Sequence, residues 1–116
     1  MAIAQRFTFS IDDLVKARGE SDELSFQGGS VESFAELFQG ALREPTLWRR
    51  WRAMQPDPDE VDPASGASDP NAIVTAQQTD VHVTCEVISA LPHAIIQHRL
   101  TLLIGKHWKL RNVSTV

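Results

Sequence analysis

The sequence contains a single cysteine, Cys85, so the chain cannot form an internal disulfide bond. Its first ten residues lack the basic cluster and apolar stretch of an export signal. Hydrophobic residues make up 42% of the chain and charged residues 22%, which is typical of domains that fold in water and argues against a membrane protein or a disordered chain. We therefore expect a cytoplasmic protein.

The chain also lacks the residue spacings that carry chemistry. Its four histidines and one cysteine form no HxH, HExxH or CxxC motif. Gly28 and Gly29 are not followed by the lysine and further glycines of a phosphate-binding loop. Cys85 falls on the apolar side of a predicted strand, where a thiol is inert. The sequence thus predicts no catalytic residue, no metal and no cofactor, and it does not favour an enzyme.

Acidic residues are concentrated in one short segment. The whole chain has a net charge of −4, yet residues 55–70 alone hold five acidic side chains, no basic one and four of the six prolines. Proline prevents a helix from running through this segment, and Val61 is its only sizeable apolar residue. We predict a single domain, 1–116, with an acidic, proline-rich, solvated loop at 55–72.

Helical periodicity dominates the part before this loop. From Val31 to Leu42, apolar residues recur three or four positions apart behind Ser30, which is a suitable N-cap. Pro45 is placed to begin a second helix that runs to Met54. The remaining predicted elements here are a helix at 11–18 and short strands at 6–10 and 24–27.

The part after the loop changes to a period of two. Residues 81–88 alternate apolar and polar side chains and predict a half-buried strand. The same alternation predicts strands at 96–104 and 108–111, joined by a tight turn at Gly105 and Lys106. A rival interpretation of residues 93–104 is a helix, whose broad apolar arc would have Arg99 in its middle.

Together these elements predict an α+β fold in which N-terminal helices pack on a C-terminal antiparallel sheet. The element order resembles the cystatin-like and NTF2-like architecture, in which long strands curl around a helix. A turn similar to that of its terminal hairpin is suggested by Gly105, Trp108 and Leu110. This similarity of element order identifies no family.

The resemblance implies an alternative function. NTF2-like domains can enclose a cavity between helix and sheet, so a small-molecule-binding or catalytic domain is the second interpretation. The acid and base side chains that would line such a cavity are Asp80, His82 and Glu86.

The segment TLWRRWR, residues 46–52, is the strongest candidate for contact with another molecule. Tryptophan and arginine are enriched in interface hot spots, and Trp48 and Trp51 are neighbours on a helix surface. The alternative is that both tryptophans belong to the core and that the arginines favour the negative end of their helix. The predicted partner-binding residues are Trp48, Arg49, Arg50, Trp51 and Arg52.

We interpret the protein as a small non-catalytic protein-binding or assembly-accessory domain of the adaptor, chaperone or immunity type. The expected partner is another protein, including a second copy of this chain, since helices over one face of a sheet leave the other face uncovered for a homodimer. Nucleic acid is not expected, because the acidic loop beside the arginines would repel phosphate. No membrane contact is expected.

Overall fold

The computed structural model describes residues 3–79 and 82–116, and in them four strands form one antiparallel sheet with α-helices against one face. The elements alternate along the chain rather than falling into a helical half and a strand half. In order they are β1 (Gln5–Asp12), α1 (Val31–Arg43), α2 (Thr46–Ala53), β2 (Ile73–Thr79), β3 (His82–Ser89), α3 (His93–Ile104) and β4 (Trp108–Thr115).

The sheet is built around the N-terminal strand. The strand order is β2-β3-β1-β4, and every neighbouring pair is antiparallel. Phe9 of β1 therefore lies between Cys85 of β3 and Leu110 of β4. The predicted fold class, N-terminal helices packed on a C-terminal sheet in cystatin-like or NTF2-like order, is wrong. The fold is mixed α+β, with strands and helices interleaved.

Residues 93–104 form helix α3, so the predicted strand at 96–104 is wrong and the rival interpretation is correct. The segment is apolar at positions that satisfy both periods, and helical spacing brings the larger set of side chains into the core. The buried apolar residues of α3 are Ile96, Leu100, Leu103 and Ile104. Since no strand precedes it in a hairpin, β4 pairs with β1 instead.

Gly105 ends this helix rather than forming a hairpin turn. It is the C-cap residue of α3 and has φ of 65°, a backbone conformation that favours glycine. A Cβ atom at this position would lie 2.7 Å from the carbonyl oxygen of Arg18. The glycine therefore allows the end of α3 to approach the segment that follows β1.

Two short N-terminal predictions are also wrong. Residues 11–18 do not form a helix, because Ile11 continues β1 in register with Val83 and Trp108, and the chain turns at Asp13 with φ of 45°. Residues 24–27 are not a strand, although Phe26 is buried and its amide donates to the carbonyl of Leu103. The sequence analysis also predicted no strand at Ile73–Thr79, where the structure has β2.

The predicted helices at α1 and α2 and the predicted strand at β3 are confirmed. Helix α1 begins after Ser30, whose hydroxyl accepts from the amide of Ser33 at 3.0 Å. Helix α2 follows Pro45, and β3 covers most of the strand predicted at 81–88, of which Val81 lies outside the described residues. The predicted strands at 6–10 and 108–111 are the inner parts of β1 and β4.

The core fills the space between the inner face of the sheet and helices α1 and α3. Its aromatic rings are in contact, as the 5.4 Å between the ring centroids of Phe26 and Phe34 shows. The outer face of the sheet is polar and includes an ion pair between Arg6 and Glu86 at 3.1 Å. The most deeply buried core residues are Phe7, Phe9, Ile11, Ala17, Phe34, Phe38, Leu42, Ala72, Val83, Cys85, Val87, Ile96, Leu100, Leu103 and Ile104.

Arg99 is fully buried in the middle of α3. Its Nη1 donates to the carbonyl of Ala41 at 2.9 Å, and its Nη2 donates to the carbonyls of Ser65 at 3.1 Å and Ala67 at 2.8 Å. No carboxylate among the described residues forms an ion pair with it. Burial lowers the pKa of Arg99 below its usual value, and the three carbonyl dipoles stabilise the positive charge of its guanidinium group.

The acidic loop is held against the helices by these contacts. It contains two short 3₁₀ turns, Pro58–Glu60 and Pro63–Gly66, and Arg99 binds the carbonyls at the end of the second turn. Near the end of the loop, the amide of Asp69 donates to the carbonyl of Leu42 at 2.8 Å. The loop thus packs along the C-terminal end of α1, whereas the assignment of 1–116 to a single domain stays a prediction.

The side chain of Asp69 joins the loop to the turn after β3. Its Oδ2 accepts from the hydroxyl of Ser89 at 2.9 Å and from the amide of Ala90 at 3.0 Å. Burial acts to raise the pKa of Asp69, but these hydrogen bonds, the amide of Asn71 and the nearby Arg43 outweigh it, so the pKa is lowered. The ionised carboxylate is therefore the form that fits this position.

Replacing the buried guanidinium should release the loop. In Arg99→Met the apolar stem is kept, but the buried carbonyl of Ala41 and the partly buried carbonyls of Ser65 and Ala67 lose their donor, and we expect the free energy of unfolding to fall by about 2–4 kcal/mol. Urea denaturation measures this loss, and limited digestion after acidic residues should cut the loop faster. Arg49→Met, at an exposed arginine, should change the stability by less than about 0.5 kcal/mol. Equal midpoints for the two variants would contradict the role given to Arg99.

Candidate functional site

Helix α2 carries all five residues predicted to bind a partner, and the structure divides them between two sides of the helix. Trp48 is buried. Its indole Nε1 donates to the hydroxyl of Ser65 at 2.9 Å, and its ring packs on Gly66, where a Cβ atom would lie 2.7 Å away. Trp48 therefore fixes the acidic loop to α2.

Arg52 contacts the same loop. Its Nε donates to the carbonyl of Pro58 at 2.9 Å, and its guanidinium carbon lies 5.8 Å from the centre of the Trp48 ring. Its Nη2 is also 3.7 Å from a carboxylate oxygen of Asp59, but that side chain is 98% exposed, so water screens the ion pair. The backbone contact and the ring contact are the stronger reasons for the position of Arg52.

The side chains of the other three predicted residues form no hydrogen bond with the loop. Arg50 is exposed, and its Nη2 donates to the carbonyl of Glu23 at 2.8 Å. Arg49 is exposed, and its side chain makes no hydrogen bond or ion pair with any described residue. Trp51 is half-buried, with its ring edge-on to His98 at a centroid distance of 4.5 Å. Whether these residues bind a partner stays a prediction.

A partly exposed apolar stripe on α2 lies beside these residues, and its first member, Leu47, also packs against the core. Leu47, Trp51 and Met54 follow one another at spacings of four and three residues, so they share one side of the helical turn. Leu47 and Trp51 are half-buried, and the Met54 side chain is 48% exposed. Sequence reasoning selected Trp51 and missed the other two members, although their helical spacing was visible.

The stripe borders two grooves. The first, which we call the Trp51 groove, has a volume of about 600 Å³ and lies between the end of α2, the end of α3 and the segment after β1. Apolar and charged side chains alternate along its walls. Its principal lining residues are Glu20, Leu24, Trp51, Met54, Leu102 and Lys106.

The second groove, which we call the α1–α2 groove, has a volume of about 340 Å³. It lies between α1 and the start of α2, and Leu24 lines both grooves. Its floor and walls include the apolar residues Leu37, Leu47 and Leu103. Neither groove was predicted, because each depends on how α2 packs against segments distant in the sequence.

Two of the residues with reactive side chains, Cys85 and Glu86, have environments that the structure defines. Burial, followed by the neighbouring Glu86, raises the pKa of the Cys85 thiol to about 12, so this thiol stays protonated. Glu86 pairs with Arg6 on the outer face of the sheet, away from the helices. Asp80 lies outside the described residues. Within residues 3–79 and 82–116, no group of three or more His, Cys, Asp or Glu side chains is arranged to hold a metal ion.

The helices in the described part of the chain are all too short, or too polar, to cross a lipid bilayer. Comparisons of this chain with protein-family models, with curated proteins and with solved structures found no match.

His98 should make stability depend on pH. Burial, followed by the charge of Arg99, lowers the pKa of His98 below 6.5, so the folded state takes up its proton at lower pH than the unfolded state. The contribution of neutral His98 to the free energy of unfolding is complete above pH 6.5 and is lost as the pH falls through the pKa of His98 in the folded state. We expect the melting temperature of His98→Phe to fall less than that of the wild type between pH 7.5 and pH 5.5. Identical pH profiles would count against this arrangement.

Gly66 should be intolerant of a side chain. In Gly66→Ala the added methyl group overlaps the buried Trp48 ring, and we expect a loss of about 1–3 kcal/mol in the free energy of unfolding. Gly29→Ala is the matched control, since a Cβ atom there has no neighbour within 4 Å and should cost less than about 0.5 kcal/mol. Chemical denaturation of both variants measures these losses. Equal stabilities of the two variants would refute the packing of the loop on α2.

Proposed function

We propose that this protein is a small non-catalytic protein-binding domain and that α2 presents its contact surface. The observation that carries the proposal is the partly exposed stripe of Leu47, Trp51 and Met54 between two grooves. Large apolar side chains that remain accessible beside a concave surface are typical of binding sites. The stripe therefore gives a partner both anchors and depressions to fill.

The residue types on this surface support protein recognition. Tryptophan, methionine and arginine are enriched at interfaces, and the flexible methionine side chain adapts to different partner shapes. Trp51 is held in place by His98 at 4.5 Å, so little conformational entropy is lost when it contacts a partner. Arg49 is free to pair with a carboxylate of the partner.

The proposed contact surface includes only some of the five residues predicted in the TLWRRWR segment. Trp48 and Arg52 bind the acidic loop, so their replacement would disturb the fold before it affected a partner. Arg49, Arg50 and Trp51 are the members that a partner can reach, although Arg50 already donates to the carbonyl of Glu23. Met54, at the end of the helix, joins them.

A photo-cross-linking amino acid at Met54 in the native host tests the proposal. We expect a defined cross-linked partner, and we expect Trp51→Ala to reduce its yield at least about tenfold, because hot-spot tryptophans contribute about 2 kcal/mol or more. Ile73→Ala, at a residue 46% exposed in strand β2, is the matched control and should leave the yield unchanged. A product of twice the chain mass would identify a second copy as the partner.

Two results would refute the proposed surface. One is the absence of any specific product in the native host, and the other is an equal yield for Trp51→Ala and wild type. Circular dichroism of Trp51→Ala establishes that the variant is folded before the yields are compared.

A further inference from the structure

The α1–α2 groove combines an apolar floor with an acidic rim. Leu24, Ala41 and Leu103 are buried residues that form part of the floor, and the Leu37 side chain on its wall is 43% exposed. Rim positions on three different segments carry glutamates, and only one basic residue lines the groove. The charged lining residues are Glu23, Glu36, Glu44 and Arg50.

The carboxylates of this rim are available to a partner. None of the three glutamates takes part in an ion pair within the part of the chain that the structure describes. The single cation, Arg50, donates to the carbonyl of Glu23 at 2.8 Å. Three negative charges against one positive charge leave the groove with a net negative rim, which is complementary to a basic partner.

Gly40 gives the groove an opening that the fold itself does not require. It lies inside α1, where glycine is less favourable than alanine. A Cβ atom at this position would have no neighbour within 4 Å, so no close packing within the chain demands a glycine. The space above Gly40 belongs to the groove, and it lets a partner approach the backbone of α1 closely.

We propose that the α1–α2 groove binds a cationic amphipathic helix of a partner protein. The apolar side of that helix packs on Leu24, Leu37 and Leu47, and its lysine or arginine side chains lie beside the glutamates of the rim. Its backbone passes over Gly40. This inference rests on the proposed function and specifies the chemistry of a partner, but it concerns a different groove from the one that Trp51 anchors.

A pair of synthetic helical peptides tests the charge preference. Both have the same leucine positions over about four turns, and the polar positions are lysine in one peptide and glutamate in the other. By fluorescence anisotropy at physiological salt, we expect the lysine peptide to bind at least about tenfold more tightly than the glutamate peptide. Its affinity should fall as salt is added, because salt screens the rim charges. Equal affinities of the two peptides would overturn the proposal.

Two matched variant pairs locate the binding site. Gly40→Gln places a neutral polar side chain in the groove and should weaken binding of the lysine peptide at least about fivefold, whereas Gly40→Ala should change it less than about twofold. Both substitutions favour the helix, so neither should unfold α1. Glu36→Lys should weaken binding at least about fivefold, and Glu32→Lys, which makes the same charge change outside the groove, should have less than half that effect.

The remaining outcomes separate the two proposals. Trp51→Ala should leave the peptide affinity within about twofold of wild type, because Trp51 does not line this groove. Equal effects within either variant pair, or a Trp51→Ala loss as large as that of Gly40→Gln, would overturn the assignment to the α1–α2 groove. A partner cross-linked through Met54 would then still support the proposed function.

Discussion

The buried guanidinium of Arg99 is the interaction on which the arrangement of the helices and the acidic loop depends. Removing a charge from water is costly unless hydrogen bonds compensate it, and here the compensation comes from three backbone carbonyls on two segments. One of these belongs to Ala41 in the last turn of α1, where the helix dipole is negative. The others, in Ser65 and Ala67, bring the loop to the same point. A single side chain of α3 thus joins the last turn of α1 to the loop.

The position of the loop then determines which side of α2 faces solvent. Trp48 and Arg52 bind the loop through Ser65 and Pro58, so the helix cannot rotate to bury other residues there. Trp51, three positions after Trp48, is consequently held at the side of the loop contact, between His98 and the Trp51 groove. The exposure of the apolar stripe is therefore a consequence of the internal contacts of Trp48. The core alternative for the TLWRRWR segment therefore applies to Trp48, whereas partner binding by the other residues stays a prediction.

Local patterns were sufficient to predict α1 and β3, because one clear period acts within each segment and Ser30 caps the start of α1. They were insufficient for residues 93–104, where Ile96, Leu100 and Ile104 satisfy both a two-residue and a helical spacing. Arg99, the arginine that weakened the helical interpretation, is buried because backbone carbonyls of distant segments accept its hydrogen bonds. No sequence pattern reveals such partners. For the proposed surface, the sequence indicated helix α2 but not which of its side chains remain accessible, because the loop contacts of Trp48 and Arg52 determine this.

Helix α2 is also the common wall of the two grooves, which differ in charge. The α1–α2 groove is lined by three glutamates and one arginine, the Trp51 groove is lined by Arg18, Glu20 and Lys106, and Leu24 lines both. The hydrogen bond from Arg50 to the carbonyl of Glu23 holds α2 against the segment that carries Leu24. Any movement of α2 therefore changes the width of both grooves at once. Since the loop bound by Arg99 fixes α2 from its other side, the buried charge in α3 sets the shape of the surface that a partner would meet.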